Sequence, residues 1–195
     1  IQGRGYIINV EEYPLLIGPG HIDITSICKN RELSAGMYTT EETRITYGGA
    51  IKNMAHYLAR LGCSPRAIFT VSSDFFGTQF LLDCAKHDIQ ADHSLVLTDC
   101  GMPIYNELIT KDGTLLAAAN AQDSLGERIT PGFLQTKDSL LRNASQILVH
   151  EALSPEAVEY ITSAYADSAL VFYAIYYENT RNHLEHLSRF PMLLT

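Results

Sequence analysis

Between residues 66 and 177, short apolar runs alternate with amphipathic stretches of about a dozen residues, and this rhythm limits what the chain can fold into. AIFTVSS, QILVHE and LVFYAIYY are too short and too rich in β-branched and aromatic residues for helices, and read as strands. FGTQFLLDCAKHD, with Phe80, Leu81, Cys84 and Ala85 on one face, and SPEAVEYITSAYA read as helices. The second opens on Ser154 as N-cap with Pro155 at its first position. Strands alternating with helices of this length predict a parallel α/β sheet covered on both faces. Before this core, YPLLIGPGHIDI, broken by Gly18 and Gly20, reads as a strand ending in a tight turn. Residues 25–47 read as polar and irregular, with RITYG extended. TPGFLQTKDSLLRN and NTRNHLEHLSR read as helices, and PMLLT as the start of another strand. PIYNELITKDGTLLAAAN breaks the rhythm: two extended runs around Lys111-Asp112-Gly113 predict a hairpin, a small antiparallel appendage beside the main sheet.

The 195 residues suit one domain, or a large part of one, with a sizeable core. A formal net charge of −8 argues against nucleic-acid or anionic-membrane partners, which need a basic face. No apolar run approaches the ~20 residues of a membrane span, and IQGRGYIINVEEYP lacks a charged-then-apolar leader, so the expected location is cytoplasmic. Cys28, Cys63, Cys84 and Cys100 form no CxxC pair and read as reduced thiols. His183 and His186 lie three apart with no third ligand nearby, so no metal site is expected.

Two local patterns carry chemistry. Gly18-x-Gly20 lacks the third glycine of a dinucleotide fingerprint, but Asp23 lies just beyond the strand's carboxyl end, where α/β sheets place ligands. A carboxylate accepts from a pair of vicinal hydroxyls; read alone, Asp23 is more readily a solvated turn acid. Gly48-Gly49-Ala50-Ile51-Lys52-Asn53 opens a helix whose Ile51, Met54, Ala55, Leu58 and Leu61 share a face and which Gly62 stops. The two glycines admit either a ligand or a tightly packed strand, and Asn53 either meets a hydroxyl or faces water. Lys52 sits unfavourably near the positive helix end, which implies solvent or an acidic partner.

Asp23 in IGPGHID, YGGAIKNMAHYLARLG, VSSDFFG and IYNELITKDGTLL together resemble the N-terminal half of the ribokinase-like (PfkB) carbohydrate kinases. The nearest branch is that of the pseudouridine kinases, which similarly carry a turn like Ser34-Ala35-Gly36-Met37 before the glycine pair. The resemblance implies a parallel central sheet flanked by helices, with a small antiparallel β lid formed near residues 22–47 and 104–119. It implies that Asp23 and Asn53 bind sugar hydroxyls, that Gly48 and Gly49 line the pocket, and that Tyr105 and Asn106 belong to the lid. A lid shuts water out of phosphoryl transfer, which otherwise hydrolyses the donor.

Residues 1–195 then read as an incomplete kinase domain whose C-terminal part is missing. The family's GAGD segment, with the catalytic base aspartate, and its ATP site are absent from this chain, so no catalytic residue is assigned here. ATP and Mg²⁺ are expected in a full-length parent and not in this chain alone, which should be inactive. Its ligand is expected to be pseudouridine or a related ribose-containing nucleoside, and a homodimer through the lid is a further expectation. The sequence departs from the branch at His150-Glu151-Ala152, where an acid and an Asn are usual, at Ala174-Ile175-Tyr176-Tyr177, and at Met102. Those departures leave an alternative: a non-catalytic ribokinase-like binding or scaffolding module.

Overall fold

The first apolar run does not end in a turn; it changes sheet. In the computed structural model, which describes residues 12–29, 36, 39–120 and 125–195, β1 (Tyr13–Pro19) passes through Gly20 alone into β2 (His21–Cys28). The next strand, β3 (Thr40–Gly48), passes through Gly49 alone into α1 (Ala50–Arg60). The described residues between 25 and 47 are thus mostly strand, not irregular. Their polarity has a different cause: β3 is an edge strand exposed along most of its length, and exposed edges are normally charged. The turn at Ser34-Ala35-Gly36-Met37 lies, apart from Gly36, outside the described residues.

The elements that follow are β4 (Arg66–Ser72), α2 (Phe75–Lys86), β5 (Leu95–Leu97), β6 (Ile104–Thr110) and β7 (Leu115–Asn120). After them come α3 (Pro131–Gln135), α4 (Asp138–Arg142), β8 (Ala144–His150), α5 (Pro155–Ala164), β9 (Ala169–Tyr173), α6 (Tyr177–Thr180) and β10 (Met192–Leu194). Six strands form a wholly parallel sheet in the order β10-β9-β8-β1-β4-β5. The other four form the lid, ordered β3-β2-β6-β7. The lid is not purely antiparallel as expected. Its central pair, β2 and β6, is parallel because both strands leave the core at the same point, where Ile22 N–H donates to Pro103 O at 2.9 Å. The β3 and β7 neighbours are antiparallel to them.

Both faces of the parallel sheet are covered. On one, Leu16, Phe69, Val71 and Leu148 pack under α1 and α2, with Phe80 edge-on to Phe69 at 5.0 Å. On the other, Ile17, Ile147, Val149 and Phe172 pack under α5 through Ala157, Val158 and Ile161. Each fully buried side chain of this size contributes roughly 1.5–3 kcal/mol over leaving it in water. Ile51 and Ala55 carry the buried face of α1, whereas Leu61 is 79% exposed past its end and Gly62 makes the stop at φ 86°. On α2, Ala85 is exposed as well, because the buried stripe narrows to Phe80 and Cys84 there.

Two expected helices are broken. Residues 130–143 form α3 and α4, since Thr136 Oγ1 donates to Phe133 O at 2.7 Å and competes with helix continuation. Residues 177–189 form α6 and two 3₁₀ turns; Asn179, Thr180, Asn182, His183 and His186 are weak helix formers, and the burial of His183 decides the path. Among the described residues no helix is long and apolar enough to cross a membrane.

Candidate functional site

The two single-residue joints, Gly20 and Gly49, lie side by side and leave a cleft of about 340 Å³ between the lid and the carboxyl ends of the parallel strands. Gly49 takes φ 92°, ψ 150°, a region open in practice only to glycine, and its Cα faces the His21 backbone. Gly48 is required for another reason: a Cβ there would collide with the Asp23 carboxylate. The paired glycines thus serve one strain and one close approach.

Asp23 lies beyond the carboxyl end of β1, as the sequence suggested, and on β2 within the lid, where the resemblance implied strands. There it faces the cleft from a rung that crosses all four strands: Thr46, Asp23, Tyr105, Asn120. Directly paired residues share a sheet face, and Asp23, Tyr105 and Asn120 all line the cleft. Opposite them stand Gly49, Ala50 and Asn53 at the start of α1. The structure therefore brings Asp23, Gly49, Asn53 and Tyr105 together. Gly48 is buried behind Asp23 without lining the cleft, and Asn106, one residue along from Tyr105, is exposed and outside it.

Sequence reasoning missed the third wall. His150 ends β8, Tyr173 ends β9, and Ile175 and Tyr176 follow it, all lining the cleft. His150 is buried, its Nδ1 accepts from Ala152 N–H at 3.1 Å, and its ring meets Tyr173 edge-on at 6.1 Å. The position of these residues at the carboxyl ends of parallel strands was the available signal.

Burial pushes the Asp23 carboxyl above its ordinary value, against the pull of His21; Glu107 raises it further and Lys52 lowers it. Glu107, which accepts from Thr25 Oγ1 at 2.7 Å, also lies near Tyr105, whose phenol is raised first by burial and then by that carboxylate. Lys52 is neither solvated nor part of the cleft: it is 4% exposed, and its Nζ donates to Asp83 Oδ2 at 2.5 Å and Tyr47 O at 2.6 Å. It ties α1, α2 and the end of β3 together just behind the glycine pair.

With one carboxylate, amides and tyrosines, the cleft suits a neutral polyol carrying a planar group. It does not suit a triphosphate, since among the described residues neither Lys nor Arg lines it, and a divalent cation would find a single carboxylate among them. Among the described residues no group of three or more His, Cys, Asp or Glu is placed to hold a metal ion.

Residues 17–180 match the family described as pfkB family carbohydrate kinase. The chain is 27% identical over 172 residues to the uncharacterized sugar kinase YeiI of Escherichia coli K12, covering 88% of this chain and 47% of that protein. It is 25% identical over 151 residues to the pseudouridine kinase of the same organism, covering 77% and 48%. It thus spans about half the length of the curated relatives it matches. Among solved structures, a carbohydrate kinase from Agrobacterium tumefaciens superposes with a TM-score of 0.81 at 19% identity, over 93% of this chain and 60% of that one. Arabidopsis thaliana ribokinase complexed with ribose and ATP superposes at 0.68 and 12%, over 84% and 53%. The match over most of its length makes this chain a member of the pfkB family of carbohydrate kinases.

Proposed function

We propose that the cleft holds the ribose of a nucleoside, pseudouridine or a close relative, as the acceptor of an ATP-dependent kinase of which residues 1–195 form the substrate-binding part. One observation carries the reading: Asp23 on β2 and Asn53 on α1 face one cleft that Tyr105, Tyr173 and Tyr176 also line. An acid that only accepts and an amide that both donates and accepts suit vicinal hydroxyls. Tyrosine rings suit the planar base. The likeness to a pseudouridine kinase supports the same class.

This chain's own residues bind and orient the acceptor and close over it. Asp23 and Asn53 hold the sugar, the lid rung shields it from water, and Lys52 keeps the β3–α1 joint in register. The base that deprotonates the acceptor, the ATP site and Mg²⁺ are assigned to the remainder of a full-length parent. The two exposed edges of the lid, β3 with Ile45 50% exposed and β7 with Leu115 54% exposed, are where a homodimer would form.

The test is turnover of the natural full-length protein with ATP·Mg²⁺ and pseudouridine, uridine, adenosine or ribose. The expected result is phosphorylation of a nucleoside with kcat/KM at least about tenfold above ribose, a difference of roughly 1.4 kcal/mol in transition-state binding. A preference for free ribose, or no acceptor among the four, would refute the assignment.

A further inference from the structure

Glu151 is 1% exposed, a burial that an ionised carboxylate tolerates only when its oxygens are hydrogen-bonded. Its Oε2 accepts from Ile175 N–H at 2.7 Å and Thr180 Oγ1 at 2.5 Å, and its Oε1 accepts from Tyr176 N–H at 2.7 Å. Its own backbone is held as firmly. Glu151 N–H donates to Tyr173 O at 3.1 Å, and Glu151 O lies 2.8 Å from His183 Nε2. A carbonyl only accepts, so that nitrogen carries the proton. His183 is itself buried against Phe172, and burial pushes its imidazole below the ordinary value.

The two amides that Glu151 grips belong to Ile175 and Tyr176, which line the cleft while remaining 43% and 47% exposed. Apolar side chains this open gain little from packing, so packing alone does not fix where they stand. The buried acid beneath them does. We infer that Glu151 is a positioning residue: by pinning the backbone of Ile175 and Tyr176 it presents a fixed wall to the planar part of the ligand, and so sets the preference for a nucleoside over a free sugar. The inference rests on the nucleoside reading of the cleft. It also recasts His150-Glu151-Ala152: an acid is retained here, one place along, pointing into the loop and not into the cleft.

Glu151→Gln keeps the shape but replaces one accepting oxygen by an NH₂ that faces an N–H donor, so one of the two amides loses its partner. Two readouts separate the parts. In amide exchange of the natural full-length protein, Glu151→Gln should speed exchange at Ile175 and Tyr176 at least tenfold while the strands of the parallel sheet stay protected. In ligand-observed NMR with pseudouridine and ribose, it should lower the ratio of nucleoside to ribose affinity at least tenfold, with ribose itself changed less than threefold. Tyr176→Ala, an exposed substitution, should lower that ratio equally, and carries the test if the buried variant does not fold.

Unchanged exchange at the two amides, or equal weakening for nucleoside and ribose, overturns the inference, the second because a merely structural role loses both. A Tyr176→Ala protein with the wild-type ratio overturns it too. Wild-type protein that binds neither ligand refutes the nucleoside reading, and the role in preference with it, even where exchange shows the grip on the loop.

Discussion

The carboxylate of Asp23 occupies the space that any side chain at position 48 would need. The lid and the core meet here, so the glycine at 48 is conditional on the acid at 23. Gly48→Ala should push the carboxylate off its rung and weaken nucleoside binding at least about tenfold, with an overpacking cost on the order of 1–3 kcal/mol. Gly49→Ala should cost a similar 1–3 kcal/mol for a different reason, the backbone conformation it cannot share. Urea denaturation measures both. In a chain already lacking the Asp23 side chain, Gly48→Ala should recover much of its loss and Gly49→Ala should not.

Burial raises the Asp23 carboxyl above the ordinary carboxylate value, so the folded, ligand-free protein favours the protonated form more than the unfolded chain does. The stability this supplies is fully present below the unfolded value and is lost as pH rises through the folded one. Asp23→Asn should therefore leave the empty protein no less stable at neutral pH. Binding runs the other way, since sugar hydroxyls need the ionised acceptor. Nucleoside affinity should fall as pH drops through the raised Asp23 value, and Asp23→Asn should bind weakly with that dependence gone. Titrations from pH 7 downward, on both proteins, check it.

Lys52→Met removes one half of a buried pair, takes the donor from Tyr47 O and leaves the Asp83 carboxylate only the longer contact to His87 Nδ1 at 3.4 Å. The expected loss is about 3 kcal/mol in chemical denaturation, the lower end for a pair whose acid keeps some solvent access. A second change, Asp83→Leu, should return most of it, because a packed apolar pair has no charge to strand.

The meeting of Asp23 and Asn53 at one cleft was legible only through the family resemblance, because the local patterns alone left Asp23 readable as a solvated turn acid and Asn53 as an exposed amide. The β2–β3 pair was legible only in part: RITYG reads as extended and the resemblance implies lid strands near residues 22–47, but an exposed edge strand has no apolar alternation to show the rest. Lys52 was misjudged in part, since its charge announced an acidic partner but not the burial that brings Asp83 to it from another helix. His150, Tyr173 and Tyr176 were hidden by topology. They share a cleft with Asp23 only because β8 and β9 stand next to β1 in a parallel sheet, and strand order is not written in any one segment.

Thiol labelling separates the four cysteines. Cys63 is exposed, Cys28 and Cys84 are buried, and burial pushes the Cys84 thiol up to about 12. The thiolate is the reacting form. Cys63 should therefore be alkylated first in native protein, with Cys28 and Cys84 labelled only on unfolding, as peptide mass spectrometry would record. Fast native labelling of Cys84 would contradict the packing of α2 on the sheet.

The most direct test of the cleft is Asp23→Ala in the natural full-length protein, assayed for pseudouridine affinity and for kcat/KM with ATP·Mg²⁺. Each charge-assisted hydrogen bond from a ribose hydroxyl is of order 1.5–3 kcal/mol, so the account predicts a loss of at least about tenfold in both. A change of less than about twofold, with the fold intact, is what a mere surface acid would give, and would contradict the assignment of this cleft as the sugar site.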